Sequence, residues 1–283
     1  MDDEIKDKLK YLGIKGLEER WDDLIKEGEG PQMSSARFLR HLVDTLFAAK
    51  QSHARSGRLL NAKMPEHWIM ATYPFAKQPK LNKKRIMSLH DSLDYMTKRQ
   101  NIILVGPTGT GKSGLGTAFL VQAIDAGYRG RFITFPDLLD ELYKSVAAHR
   151  EARVLKAFAS YDCLLCDELG YVDAEPSQVG LFFRLMSMRH RTKTTIITTN
   201  LGFQEWTSFL KNQQLTASLL DRLTENSHVI NMRGCVSIRP KLAGSEPVAD
   251  PSPEGDRPAA QPSGATKVQR KTEQGDVHDI RNT

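Results

Sequence analysis

The run with the most definite chemistry is Gly106-Pro107-Thr108-Gly109-Thr110-Gly111-Lys112-Ser113, which fits G-x-x-x-x-G-K-[ST]. Glycines let a backbone turn tightly and aim its N–H groups at phosphate oxygens. The helix that follows adds the positive end of its dipole. In such a loop the Lys112 ammonium neutralises β- and γ-phosphates, and the Ser113 hydroxyl binds Mg²⁺. All eight residues are therefore candidate nucleotide contacts. A second run is Cys163-Leu164-Leu165-Cys166-Asp167-Glu168. An apolar strand ending in Asp167 places that carboxylate at the C-terminal edge of a sheet, where ligands of open α/β sheets gather. There Asp167 can hold Mg²⁺ through a water, and Glu168 can polarise an attacking water. A third run, Thr194-Thr195-Ile196-Ile197-Thr198-Thr199-Asn200, is a buried strand with a polar end. If it lies beside the strand before the glycine-rich loop, Asn200 can reach the γ-phosphate or the lytic water. In Leu219-Leu220-Asp221-Arg222-Leu223, Arg222 sits mid-helix, and spacing alone assigns it no role.

Cys163-x-x-Cys166 superficially matches a metal or redox motif. Within a strand, residues three apart point to opposite faces, so the two thiols diverge. The third cysteine, Cys235, forms no second pair. The expectation is core packing.

The elements that must position these groups follow from periodicity. The strand Asn101–Val105 precedes the glycine-rich loop, and a helix follows it, ending near Gly127. Further strands are expected at Phe132–Phe135, Cys163–Cys166 and Thr194–Thr198. Two helices, about Asp137–Ala147 and Glu151–Ser160, fill the space before Cys163. Strands alternating with helices predict a mostly parallel sheet covered by helices. Upstream, Phe38, Leu39, Leu42, Val43, Leu46 and Phe47 recur at helix spacing, with Ser34 or Ser35 as N-cap. An amphipathic segment runs from about Lys15 to Glu27. The Pro- and Lys-rich stretch from Met64 to Arg85 reads as an irregular connection or linker. Residues 243–283 include five Pro and four Gly and no Leu, Met or aromatic residue, a composition expected to remain disordered.

The charge is uneven. Residues 1–30 hold ten acidic and six basic residues, whereas residues 37–99 hold thirteen Lys and Arg against four Asp and Glu. Such an excess suggests a polyanionic partner, nucleic acid being the commonest. Arg55, Arg58, Lys63, Lys83, Lys84 and Arg85 are the candidate phosphate contacts. No run approaches the ~18 apolar residues of a membrane span. The acidic start and the sparse cysteines point to a reducing, cytoplasmic setting.

In their order and spacing the four motifs resemble those of the AAA+ ATPases. The chain more narrowly resembles the IstB-like ATPases, ATP-binding helper proteins encoded beside the transposase of certain bacterial insertion sequences. The narrower likeness rests on the basic helical N-terminal region, the extra helix before Cys163, Leu-Leu-Asp-Arg-Leu, and the segments Ala62-Lys63-Met64-Pro65 and Asn101–Gly106. It implies an α/β fold, a P-loop NTPase (AAA+) parallel sheet sandwiched by helices. A small helical, basic DNA- or partner-binding domain would span 1–95, the ATPase domain 96–240 and a disordered tail 241–283. Lys112 and Ser113 become the Walker A pair, Asp167 and Glu168 Walker B, Asn200 sensor 1, and Arg222 an arginine finger for a neighbouring subunit. The few residues between Arg222 and Pro240 leave no room for the separate helical lid of many AAA+ proteins, a departure that bears against a sensor-2 arginine, for which Arg233 and Arg239 are the only residues to name. The implied cofactors are ATP and Mg²⁺. The implied partners are duplex DNA, a transposase and further copies of the chain, with no membrane. Family members assemble on DNA with ATP, present the target site to the transposase and disassemble through hydrolysis. The alternative is a replicative-helicase loader of the DnaC type. The chain departs from the family in Ser113-Gly114-Leu115-Gly116, where Thr-His-Leu-Ala is common.

Overall fold

The four expected strands form, and a fifth joins them. The structure, a computed structural model, describes residues 1–239 apart from 15, 31–32 and 172–174. The strands are β1 (Asn101–Val105), β2 (Gly130–Thr134), β3 (Cys163–Leu169), β4 (Thr194–Thr199) and β5 (Ser227–Asn231). All four pairings are parallel, in the order β2-β3-β4-β1-β5. The helices are α1 (Asp3–Tyr11), α2 (Trp21–Gly28), α3 (Ser35–Ala62), α4 (Lys83–Ser92), α5 (Asp94–Thr97), α6 (Lys112–Asp125), α7 (Phe135–Ala147), α8 (Glu151–Ser160), α9 (Pro176–Arg189), α10 (Trp206–Leu210) and α11 (Gln213–Thr224).

Strand alternation divides the core into two layers. On one face Ile103, Val105, Ile133, Cys166 and Ile197 pack with α7 to α11. On the other, Ile102, Leu104, Phe132, Cys163 and Ile196 pack with α6 and with residues from 62 to 96. Cys163 and Cys166 thus lie in different layers, both free and fully buried, as expected of core residues. Burial pushes the Cys163 thiol up to about 12 and Cys166 higher still.

The local signals explain the helix ends. Ser34 Oγ accepts from the Arg37 N–H, 3.4 Å away, at the start of α3. Gly127 at φ +97° closes α6. The Tyr128 N–H donates to Ala123 O and that of Gly127 to Ile124 O, which satisfies two orphan carbonyls of the last turn. The exposed side of α3 carries Leu39, Val43 and Phe47, each about three-fifths exposed.

The stretch from Met64 to Arg85 is irregular, but it is not a linker. Met64, Met70, Tyr73 and Leu81 are buried against the α6 side of the sheet. The described residues form one compact unit. The segment evades a periodicity search because short 3₁₀ turns at Met70–Thr72 and Phe75–Lys77 present its apolar side chains without a regular repeat. The expected disordered tail lies outside the described residues. Among the described residues, no helix is long and apolar enough to cross a membrane.

Arg189 at the end of α9 ties the base of the sheet together. Its guanidinium is fully buried and donates to Phe158 O, Ala159 O, Tyr161 O, Thr194 O and Thr195 Oγ1. Burial lowers its pKa to about 10, so it stays charged at neutral pH. Replacing it leaves several buried carbonyls without a donor, each costing ~1–3 kcal/mol. Arg189→Met should therefore destabilise the protein by roughly 3 kcal/mol or more, read as a fall in the urea midpoint.

Candidate nucleotide-binding site

The glycine-rich loop leaves β1 and enters α6 at the C-terminal edge of the sheet. Gly109 and Gly111 have φ of +83° and +93°, a left-handed backbone that a side chain would strain. The N–H groups of Thr108, Gly109, Thr110 and Gly111 donate to no protein acceptor among the described residues. Four amides left free in one tight loop form a cradle for an anion. Lys112 is buried, and its Nζ donates to Gly106 O at 2.7 Å and Pro107 O at 2.8 Å. Burial lowers its pKa against the pull of Asp167, and Arg239 adds to the lowering.

Asp167 is buried, and its Oδ1 accepts from Ser113 Oγ at 2.9 Å and from Thr198 Oγ1 at 2.5 Å. Ser113 and Asp167 together offer a hydroxyl and a carboxylate, the hard oxygen donors that Mg²⁺ takes. These residues fit the ion that the P-loop pattern calls for. Glu168 is exposed and faces the same cleft of about 540 Å³, along with Lys112, Ser113, Trp68, Tyr171 and Arg239. Asp167 and Glu168 are adjacent in a strand, where alternation would turn them to opposite faces. The register with β4 shifts between Cys166 and Leu169, and Glu168 takes φ +62°. This bulge re-aims the pair toward one site. Thr198 holds it in place: its Oγ1 donates to Asp167 and accepts from the Glu168 N–H at 3.0 Å. Sequence reasoning missed this residue; its signal was a hydroxyl at the end of the strand beside the acidic pair.

Asn200 follows Thr199, which pairs with Val105 immediately before the loop, and it is absent from the lining of the cleft. Its Oδ1 is buried and has no hydrogen-bond partner among the described residues. Arg239 lines the cleft, whereas Arg233 is drawn to Glu205, 3.6 Å away. Arg222 is absent from the lining of its own cleft. It lies over the Phe183 ring at 4.5 Å and donates to Ser187 Oγ at 3.0 Å.

Two segments seal the loop. Gln78 Nε2 donates to Thr110 O at 2.9 Å and to Val236 O at 2.6 Å, and Ile238 N donates to Gly109 O at 2.9 Å. Trp68 sits so close to Gly114 that a Cβ there would meet the indole at 2.9 Å. The departure at Gly114 thus makes room for Trp68.

The six basic residues do not form one patch. Arg55 pairs with Asp125 at 2.6 Å, and Arg58 reaches Ile124 O at 3.4 Å. Arg58 and Lys63 line a cleft at β2, whereas Arg85 lines one at β5. β2 and β5 are opposite edges of the sheet, four spacings or about 19 Å apart.

A five-stranded parallel sheet in this order, with a P-loop on its central edge and an acidic pair two strands away, defines a P-loop NTPase of the AAA+ kind. The chain belongs to the family of IstB-like ATP binding proteins, whose description matches residues 7–243. It is similar to a protein named for ATP binding in insertion sequence IS5376 of Geobacillus stearothermophilus, with 27% identity over 83% of this chain and 93% of that protein. A counterpart named for insertion sequence IS21 of Pseudomonas aeruginosa is 28% identical over 80% of this chain and 85% of that one. Among solved structures, the DnaC helicase loader matches with a TM-score of 0.47 and 22% identity over 53% of this chain and 86% of that one. AMPPCP-bound DnaA from Aquifex aeolicus matches with 0.49 and 17% over 60% and 51%.

Thr198→Val should leave the Glu168 N–H without its partner and the Asp167 carboxylate one donor short, costing about 1–3 kcal/mol. Thr198→Ser should retain most of that stability. Urea titration of the two variants checks this, and equal losses for both would discount the hydroxyl.

Proposed function

We propose that the protein is an ATP-hydrolysing, DNA-binding AAA+ ATPase that assembles on DNA and assists a transposase in target selection and strand transfer. The observation that carries the reading is the convergence of the free loop amides, Lys112, Ser113, Asp167 and Glu168 on one cleft. The relatives' names, which place ATP-binding proteins in insertion sequences, supply the transposition context. The setting is cytoplasmic.

The loop amides of Thr108 to Gly111 receive the phosphates of ATP. Lys112 exchanges the carbonyls of Gly106 and Pro107 for phosphate oxygens. Ser113 and Asp167 would hold Mg²⁺, which draws charge off the β- and γ-phosphates. Glu168 orients a water and takes its proton as the water oxygen attacks the γ-phosphorus. The bridging P–O bond breaks, and ADP leaves with the electron pair. Asn200 Oδ1 accepts a hydrogen bond from that water. Arg239 serves its own site, and Arg222 completes the site of a neighbouring copy, where it stabilises charge on the moving phosphoryl group.

Lys112→Ala should lose productive ATP binding, since a charged hydrogen bond contributes roughly 1.5–3 kcal/mol. Glu168→Gln should bind ATP and fail to hydrolyse it, which nucleotide-binding and phosphate-release assays separate. A normal turnover rate would remove Glu168 from the role of water activator.

Action in trans is tested by mixing. Arg222→Ala keeps its own cleft, and Lys112→Ala keeps its arginine. Each alone should be inactive, and an equal mixture should regain phosphate release. No recovery, with both variants folded, would confine Arg222 to its contacts with Phe183 and Ser187.

The transposition reading is tested by phosphate release on duplex DNA with and without an insertion-sequence transposase. Stimulation by both is the expected result. Stimulation by a replicative helicase alone would overturn it.

A further inference from the structure

The free edge of β2 carries a second cationic cleft. Arg131 lies near the N-terminal end of its strand, so this cleft sits at the opposite end of the parallel sheet from the P-loop. There α3 and the helices α7 and α8 leave a space of about 410 Å³. Arg58, Lys63, Arg129 and Arg131 line it, against one carboxylate, Glu141.

Arg131 is the informative member. Only 9% of the residue is exposed, yet among the described residues its side chain has no hydrogen bond, ion pair or ring contact. Arg189, which is fully buried, has five acceptors. None of the Arg131 guanidinium nitrogens is among the fully buried unpartnered atoms, so the group opens into the cleft that it lines, with its donors unused by the protein. Glu141 lines the same cleft but forms no ion pair with it. Around it Arg129 spends one donor on Ser160 O at 2.6 Å, and Lys63 is exposed and unpaired among the described residues. Arg58 uses only its Nε, on Ile124 O. Several guanidinium and ammonium donors therefore remain for a ligand that enters. A planar guanidinium fork matches the paired oxygens of a phosphate group, and a compact ammonium adds a point charge.

We propose that this cleft is a phosphate-binding site, distinct from the P-loop, that seats a phosphodiester of the DNA backbone. It rests on the DNA reading above only for the source of the phosphate. Arg131 and Arg129 enter as phosphate ligands that the sequence pattern did not single out. Arg58 and Lys63 act here with them and apart from Arg85 at the far edge.

The test compares the full-length wild type with Arg131→Gln and Lys63→Gln. The first arm follows the thermal midpoint against inorganic phosphate at constant ionic strength. The P-loop contributes equally to all three proteins, so differences report the cleft. Phosphate should raise the wild-type midpoint more than that of either variant. Without phosphate, Arg131→Gln should melt close to wild type, since the Arg131 side chain has no hydrogen bond or ion pair within the protein to lose. The second arm measures binding of a 30-base-pair duplex by fluorescence anisotropy across a salt series. Each variant should bind more weakly, with a log–log slope reduced by about 0.9. A reduced slope identifies the DNA backbone. A change in the phosphate arm alone, including the case in which wild type binds no DNA, assigns the cleft to a free phosphate. Wild-type behaviour of both variants in both arms overturns the site. Should Arg131→Gln fail to fold, the exposed Lys63→Gln decides by the same two readings.

Discussion

Two adjacent residues of a strand cannot both face one cleft while the strand keeps its alternation. The site depends on how β3 escapes that constraint. The register shift between Cys166 and Leu169 and the left-handed Glu168 break the alternation at one point. A non-glycine residue in that region stores of order 1–3 kcal/mol of strain. The Thr198 hydroxyl offsets part of it by accepting from the Glu168 N–H and donating to Asp167. β4 is thus more than a neighbouring strand. It supplies the contact that keeps the bulge open toward Ser113 and Lys112, and its last residue, Thr199, pairs with Val105 just before the loop.

The loop is held from outside as well. A chain that turns through Gly109 and Gly111 has few bonds of its own, and its amides are kept free for a ligand. Its shape is therefore set by what packs on it. Residues 68–78 press from one side, through Trp68 at Gly114 and Gln78 at Thr110. Residues 232–239 press from the other, through Met232 at Gly106 and Ile238 at Gly109. Gln78 joins the two, accepting from the Val236 N–H and donating to its carbonyl. Rigid support for a phosphate cradle removes reorganisation that binding would otherwise incur.

Much of this was legible in the sequence, and the exceptions have physical causes. The P-loop, the acidic pair, the opposed cysteines and four strands follow from spacing and alternation. β5 was missed because Ser227-His228-Val229-Ile230-Asn231 is an edge strand, half-buried and only briefly apolar. The bulge at Glu168 could not be read, since nothing in a run of apolar residues followed by Asp and Glu marks a left-handed backbone. The Met64–Arg85 stretch looked like a linker because proline and lysine density says where a regular element stops, and not whether the irregular chain is buried. The basic excess of residues 37–99 was real as composition, but composition carries no address. Arg55 is held by Asp125 within the chain, Arg58 and Lys63 line the β2 edge, and Arg85 lines the β5 edge.

Arg222 shows how the same fold can prepare a residue for a partner. On α11 it is clamped by the Phe183 ring and Ser187, both on α9. A long side chain on an open surface samples many rotamers, and ordering it on association costs roughly 0.5–1.5 kcal/mol. Contact with a ring and a hydroxyl removes much of that freedom beforehand. Only one of the five guanidinium N–H donors is used in the Ser187 contact, so four remain for an incoming phosphate. In the proposed assembly the arginine would arrive already oriented. The contacts that make it look structural in a single chain are those that would let it act quickly on a neighbour.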